Sequence, residues 1–558
     1  MNKLIVVLTL FLATNITGYA QDKVIKAAKA ELERSMKELS KQETPPYYIS
    51  YSITDIETTT ISATFGKIRM SDQDNRRILD MDVRVGSHEL DNTHIIRGNP
   101  FQFSSPGGSI ILSLDDNMEA MRSAMWYNTD LRFKSAIERY GKVETNIAVK
   151  VAEEDTSADF SHEKPQVYYG EKKDISVAID EWKEKIKRLS AKFNEHPLIF
   201  RNQVVFDADV LHKHFVNSEG SELEWYETNV RLYVTAMTKA DDGMSLPLYE
   251  SYFAFAPEGL PSEAKIAADI DEMIAKLKDL RKAPMMSAFT GPAILSGEAS
   301  GVFFHEIFGH RVEGHREKDP NSSQTFKQSI GKEILPSFID VIFDPTMKVL
   351  EDNELSGYYV YDDEGVKSER VVSVKNGKFQ KFLMSRMPIE GFPTSNGHGR
   401  KQAGHSAVSR QSNLIVESDK EVPVAELKEM LREEAIKQDK EFGLYFEEVS
   451  GGFTFTSRTI PNAFNVTPLV VYKVYADGRP DELVRGVDLI GTPLATFGNI
   501  IATGDDLGVF NGICGAESGG VPVSACSPSI MVSTIEVQKK QKSQAKPPIL
   551  QNPTIEAN

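Results

Sequence analysis

Apolar and polar positions along this chain change period several times, and each change marks an element. Lys23 to Leu39 places apolar residues at helical spacing and reads as an amphipathic helix. From Tyr47 to Arg84 the pattern is strand-like, with β-branched and aromatic runs such as Tyr48-Ile49-Ser50-Tyr51-Ser52-Ile53. A helical stretch follows around Met118 to Tyr140. Ile179, Trp182, Ile186, Leu189 and Phe193 then recur at helical spacing, which predicts one face packed on a core. Residues 200 to 254 return to strand patterns, including Leu223-Glu224-Trp225-Tyr226. A strong helix is expected from Ser262 to Lys282, with Ile266, Ile270, Met273, Ile274 and Leu277 on one stripe.

Ala283-Pro284 ends that helix, because the residue before proline is pushed out of helical geometry. Gly291-Pro292 is expected to turn the chain, and Ser296 to cap a helix running through Phe308. From about residue 335 to 537 short strands dominate, with turn signals such as Asn376-Gly377, interrupted by one helix from Val424 to Lys437. The class is α+β: a mixed α/β N-terminal domain, then a β-rich C-terminal domain carrying the helix that precedes Phe308. The expected division is residues 1–20 as a signal peptide, 21–284, 285–538, and a flexible tail at 539–558.

Composition narrows the function. The chain has 558 residues, a net charge of -17 and 40% hydrophobic residues. A strongly acidic chain argues against general nucleic-acid binding. Lys3, the apolar run Leu4 to Ala13 and the small residues of Gly18-Tyr19-Ala20 read as a bacterial signal peptide, so a periplasmic or extracellular protein is expected. No later apolar run reaches the length of a membrane span. The two cysteines, Cys514 and Cys526, read by default as a disulfide in an exported protein, with a thiolate metal ligand as the alternative.

The densest chemistry lies in His305-Glu306-Ile307-Phe308-Gly309-His310. Two imidazoles and a carboxylate suit a hydrolytic zinc site, which needs three protein ligands and one open position. The spacing is unusual. Histidines at i and i+4 share a helix face, whereas an offset of five residues on a regular helix separates them by about 140°. Either the helix is locally unwound or of π type near Gly309, or the histidines do not share a ligand. Glu313, His315, His398, His405, Cys514 and Cys526 are candidates for the third position, and spacing alone does not choose. Asp362-Asp363-Glu364 before Gly365 reads as a solvated acidic loop rather than a hard-metal site.

Several motifs together resemble the TldD/PmbA family of metallopeptidases. They are Gly291-Pro292, Gly297-Glu298-Ala299, Gly301 to Glu306 with Gly309-His310, then Asp362 to Val366, Asn396-Gly397 with Gly399-Arg400, Leu489-Ile490-Gly491, Gly504-Asp505-Asp506, and Cys514-Gly515 with Val521-Pro522-Val523. The resemblance covers roughly residues 290 to 537 and is to the motif-bearing, TldD-type subunit. It implies one Zn2+ per chain held by His305, His310 and Cys514, with a zinc-bound water activated by Glu306. It further implies hydrolysis of unfolded or extended peptides, and a dimer, either of two copies or with a motif-less subunit. Two features depart from the family pattern: the signal peptide, and Cys526 where a glycine is usual. His398, Arg400, His405 and Arg410, in a glycine-rich segment, are candidate substrate-binding groups that could aid an oxyanion. Gly451-Gly452-Phe453-Thr454-Phe455-Thr456 is a candidate edge for strand addition by a peptide. The competing reading is a non-catalytic exported binding or assembly protein with a vestigial His-Glu motif.

Overall fold

The computed structural model describes residues 22–96, 109–148, 155–454, 456–457, 464–491, 493–540 and 546–550. The expected signal peptide, Phe455 and most of the expected tail lie outside them. Helix α1 spans Lys23–Leu39, as its periodicity predicts, and Asp22 caps it by accepting from the Val24 amide. Its apolar face, including Val24, Ile25, Ala28 and Leu32, packs with α2 (Met118–Ala148) on a seven-stranded sheet. Four long strands, β1 (Pro46–Thr64), β2 (Lys67–Val85), β5 (Arg201–Asn217) and β6 (Glu222–Lys239), pair antiparallel in the order β2-β1-β5-β6. The short β3 (Ile110–Leu112) and β4 (Val167–Tyr169) flank this order, and β7 (Ser245–Ala254) pairs with β6. The stripes on α3 (Ile179–Ala191) and α4 (Glu263–Lys282) close over a second core. There Ile186, Leu189, Ile266, Ile270 and Leu277 meet Phe206, Leu232 and Val234 of the sheet.

Among the described residues, the sheets of 289–539 share no strand with this one. We propose the division near residue 284 as a domain boundary; Val470, from beyond it, nevertheless joins the core under α3 and α4. β8 (Phe289–Leu295) enters an eight-stranded sheet. This corrects the turn expected at Gly291-Pro292. Gly291 pairs with Ile535 and Ala293 with Val532, and the register shifts between them. Pro292 therefore sits at an irregularity in the ladder, where its missing amide costs no regular bond. A six-stranded sheet lies opposite, containing Ile339–Phe343, Asn413–Ser418 and the hairpin Gly508–Ala516/Gly519–Ser527. Helix α5 (Gly297–Ile307) is packed between the two sheets. Val302, Phe303, Phe304 and Ile307 all enter the core that both sheets share.

The approach of α5 to the hairpin depends on glycine. A Cβ on Gly301 would lie 2.7 Å from the Ala525 carbonyl oxygen, well inside contact distance. That closeness sets α5 against the hairpin whose other strand carries Cys514.

Candidate metal centre

The five-residue offset is resolved by the helix ending between the two histidines. α5 stops at Ile307; Phe308 closes it, and Gly309–Arg311 forms a 3₁₀ turn. The tighter turn swings His310 back toward His305, so their ring centroids are 5.0 Å apart at 81°. The expected unwound or π-type turn is therefore not what is observed: α5 ends and the chain tightens into a 3₁₀ turn, and the two histidines meet. Gly309 is required there, because a Cβ would overlap the Gln411 side-chain amide at 1.8 Å. Gln411 in turn donates to the His305 carbonyl.

Cys514 completes the cluster from about two hundred residues away. Ligand atoms of His305, His310 and Cys514 all lie within 4.8 Å of one another. Cys514 Sγ is 3.4 Å from His310 Nε2. Tetrahedral zinc with Zn–S of about 2.3 Å and Zn–N of about 2.0–2.1 Å would hold these donors about 3.6 Å apart. The donor set and spacing therefore fit zinc. Burial pushes the Cys514 thiol up, but the imidazoles of His310 and His305 outweigh it and hold the thiol well below its usual pKa. That is the thiolate a soft metal requires.

Around the cluster runs a line of buried charge. Glu313 Oε2 lies 3.2 Å from His310 Nδ1, which leaves Nε2 directed at Cys514. Glu313 is fully buried, and Arg316 donates to it at 2.9 Å. Burial raises the Glu313 carboxyl, yet His310, Arg316 and Arg410 together bring it down to about 2. Arg410 stands 3.5 Å from the second Glu313 oxygen. Its guanidinium donates to the Cys514 carbonyl at 2.6 Å, to Ser518 Oγ at 2.7 Å and to the Gly519 carbonyl at 3.0 Å. One arginine thus ties the cysteine-bearing hairpin to the carboxylate behind His310. Glu306 follows His305 on the last helical turn and is buried close to the Arg311 guanidinium.

The remaining sequence candidates are scattered. His315 lies elsewhere, bonded to Glu517. His398 is fully buried, with Nδ1 at Asn396 and Nε2 at Ser412 Oγ, and burial lowers its pKa to about 3. Arg400 is buried and donates to the Gln411 and Pro522 carbonyls. His405 is exposed and borders a different cavity, of about 750 Å³, walled by Asp80, Arg132, Arg139 and Glu364. The four candidate substrate groups therefore do not share one surface, and Arg410 alone of them reaches the cluster.

Two expectations are overturned. The disulfide does not form: both cysteines are free. Cys514 pairs with Val521 across the hairpin, while Cys526 pairs with Val509. Five ladder positions separate them, about 17 Å at roughly 3.4 Å per residue, and the odd count puts them on opposite faces. Cys526 is packed among Ile342, Leu355 and Ile415, and burial raises its thiol to about 12. The acidic turn is not solvated either. Asp362 is buried and accepts from the Glu364, Val366 and Gly399 amides, and Asp363 binds Lys213 of β5. Arg316 and the structural role of Arg410 escaped sequence reading, since no local pattern distinguishes a buried arginine from a surface one.

Residues 289–539 match the PmbA/TldA metallopeptidase C-terminal domain. Over that stretch the chain carries the C-terminal domain of the TldD/PmbA family. A zinc metalloprotease TldD homolog of Saccharolobus solfataricus is 24% identical over 373 residues, covering 65% of this chain and 77% of that protein. A metalloprotease of Methanothermobacter thermautotrophicus is 27% identical over 324 residues, 57% of this chain; the chain spans 65% of that relative's length, under two thirds. Among solved structures, TldE from Thermococcus kodakarensis superposes with a TM-score of 0.60 at 13% identity, covering 92% of this chain and 100% of that one. A putative modulator of DNA gyrase from Thermotoga maritima gives 0.59 at 16%, covering 91% and 99%. At these identities the two structures show the TldD/PmbA fold alone. No helix of the described residues is long and apolar enough to cross a membrane.

Proposed function

We propose that this chain is a zinc-dependent peptidase acting on unfolded or extended peptides, with His305, His310 and Cys514 as ligands of one Zn2+ and Glu306 as general base. The observation that carries the reading is the convergence of two imidazoles and a pKa-lowered thiol within 4.8 Å, immediately beside a buried glutamate. Zinc held there would supply Lewis acidity, drawing the pKa of a bound water from about 15.7 toward about 7 and polarising a substrate carbonyl. Glu306 would take the proton of the attacking water and return it to the leaving amine. Glu313 fixes the His310 ring so that Nε2 faces the metal position. Arg410 holds the Cys514 hairpin in register with it.

Peptide capture by strand addition has some geometric support. Gly452 to Thr454 pair on one side with Phe464 to Val466, and the parallel contact with β8 on the other side ends at Phe446. Just beyond, Thr456 accepts from Arg316, the same arginine that binds Glu313. A peptide added at Gly452 to Thr454 would be read through its backbone, up to the point where Ser322 and Ser323 already bond Thr456. Export to the periplasm or exterior, and a dimer with a second copy or a motif-less subunit, complete the proposal. They rest on the N-terminal pattern and the family resemblance.

The test is metal analysis with cleavage of a denatured protein substrate. About one zinc per catalytic cluster and cleavage lost on chelation, restored by Zn2+, are expected. A zinc-loaded chain that cleaves nothing, alone or mixed with a family partner, would favour the binding-protein reading.

A further inference from the structure

A second cluster of metal-ligating side chains lies on the other sheet. His212 and His214 alternate on β5 and so point to one face, with Glu224 of β6 opposite His214 in the register. Asp22, at the start of α1, comes down onto the same face. One ligand atom from each of Asp22, His212, His214 and Glu224 lies within 4.8 Å of all the others.

His214 is 0% exposed, and neither of its ring nitrogens makes a hydrogen bond. Its nearest anionic neighbour, Asp22 Oδ2, is 3.7 Å from Nε2, too far for a hydrogen bond. A buried imidazole satisfied by hydrogen bonds would look like His398, whose two nitrogens both have partners. On the far side His212 Nε2 is 3.0 Å from Glu224 Oε1, and its ring stacks on Tyr226 at 4.0 Å. Tetrahedral zinc with N and O ligands at about 2.0–2.2 Å separates its donors by about 3.3–3.6 Å. The two measured pairs bracket that range. Asp22 can serve without losing its cap, since Oδ1 accepts from Val24 and Oδ2 faces the histidine.

We propose that Asp22, His212, His214 and Glu224 form a second site for a divalent transition ion of the zinc class. Four protein donors close the coordination shell, so the site is structural rather than catalytic. Its effect is to pin the cap residue of α1 to strands β5 and β6.

The test uses the full chain carrying His310→Ala and Cys514→Ser, so that the first cluster is disabled. Titration with Co2+ should give one equivalent with the visible absorption of a tetrahedral ion and no thiolate charge-transfer band, and Zn2+ should displace it. Adding His212→Gln or Asp22→Asn, both at half-buried positions and each checked for a retained fold by circular dichroism, should weaken binding by more than the roughly 10–100-fold typical of an outer-shell change. Each should also abolish the Zn2+-dependent rise in Tm. Absence of Co2+ binding in the disabled background overturns the proposal and leaves an imidazole–carboxylate ion-pair cluster; so does binding that survives both substitutions. Because the background cleaves no peptide, neither outcome depends on the peptidase reading.

Discussion

The histidines at the end of α5 and those on β5 both lie beside carboxylates, yet they are held in different ways. His305 and His310 belong to one short segment, with a third donor arriving from a distant hairpin. The cluster is backed by Glu313, Arg316 and Arg410, so the His310 ring and the Cys514 hairpin each have a charged group fixing them. His212 and His214 sit on one straight strand, with two carboxylates and no arginine among the four donors. The first cluster offers three donors and leaves a position open, with Glu306 adjacent. The second offers four and leaves none. On the two proposals made above, the difference separates a site built for reaction from one built to fasten, since catalytic zinc needs an exchangeable position and structural zinc does not.

The largest effect belongs to the base. Glu306→Gln should lower kcat/KM by about 10²–10⁴-fold while zinc content stays unchanged, as expected for loss of general-base catalysis. Unaltered cleavage in that variant would remove Glu306 from the mechanism and make the first cluster resemble the second. Next comes the buried charge that only the first cluster has. Glu313→Gln leaves Arg316 and Arg410 facing a neutral group, which should cost about 3–5 kcal/mol in urea unfolding and weaken zinc binding roughly 10–100-fold. A loss under about 1 kcal/mol would mean that the charge network does not support the site.

His398 supplies a control imidazole with both nitrogens bonded. Its folded pKa of about 3 lies below the ordinary 6.5, so the unfolded chain binds more protons between those values. The contribution is fully present above pH 6.5 and is lost as the pH falls toward 3. Between pH 6 and about 4, wild type should therefore lose about 1.4 kcal/mol per pH unit more than His398→Phe, measured by urea unfolding at each pH. Equal slopes would show that His398 is protonated or hydrated in the fold. The smallest effect is expected at Cys526. Cys526→Ala should cost about 1 kcal/mol and leave zinc affinity unchanged, because its thiol lies in an apolar cluster on the opposite face from Cys514. A drop in zinc content would place Cys526 at the metal after all.

Much of this architecture was legible because it is local. The helices at Lys23–Leu39 and Val424–Lys437 follow from periodicity alone, and the cap at Ser296 from its position before α5. The alternating strands of residues 46–85 and 201–254 were likewise visible in their β-branched and aromatic runs. Pro292 misled, because proline signals a turn in isolation but is tolerated where a ladder is already irregular. The acidic turn misled for a related reason. Its carboxylates meet backbone amides and Lys213, partners that come from far along the chain.

The sequence by itself determined which side chains could do chemistry: the paired histidines, the adjacent glutamate, and a cysteine amid glycines that suit close backbone approach. It also contained the His212-x-His214 alternation, which went unread because two histidines on a strand carry no meaning without their neighbours. The tertiary structure decided which of these meet. The end of α5 at Ile307 closes a spacing that a continuous helix would leave open. Glycine at 301 lets α5 approach the hairpin that bears Cys514, against its second strand at Ala525, and hairpin register separates Cys514 from Cys526. Each of these depends on contacts between residues far apart in sequence, whose geometry is fixed only when the two sheets pack around α5.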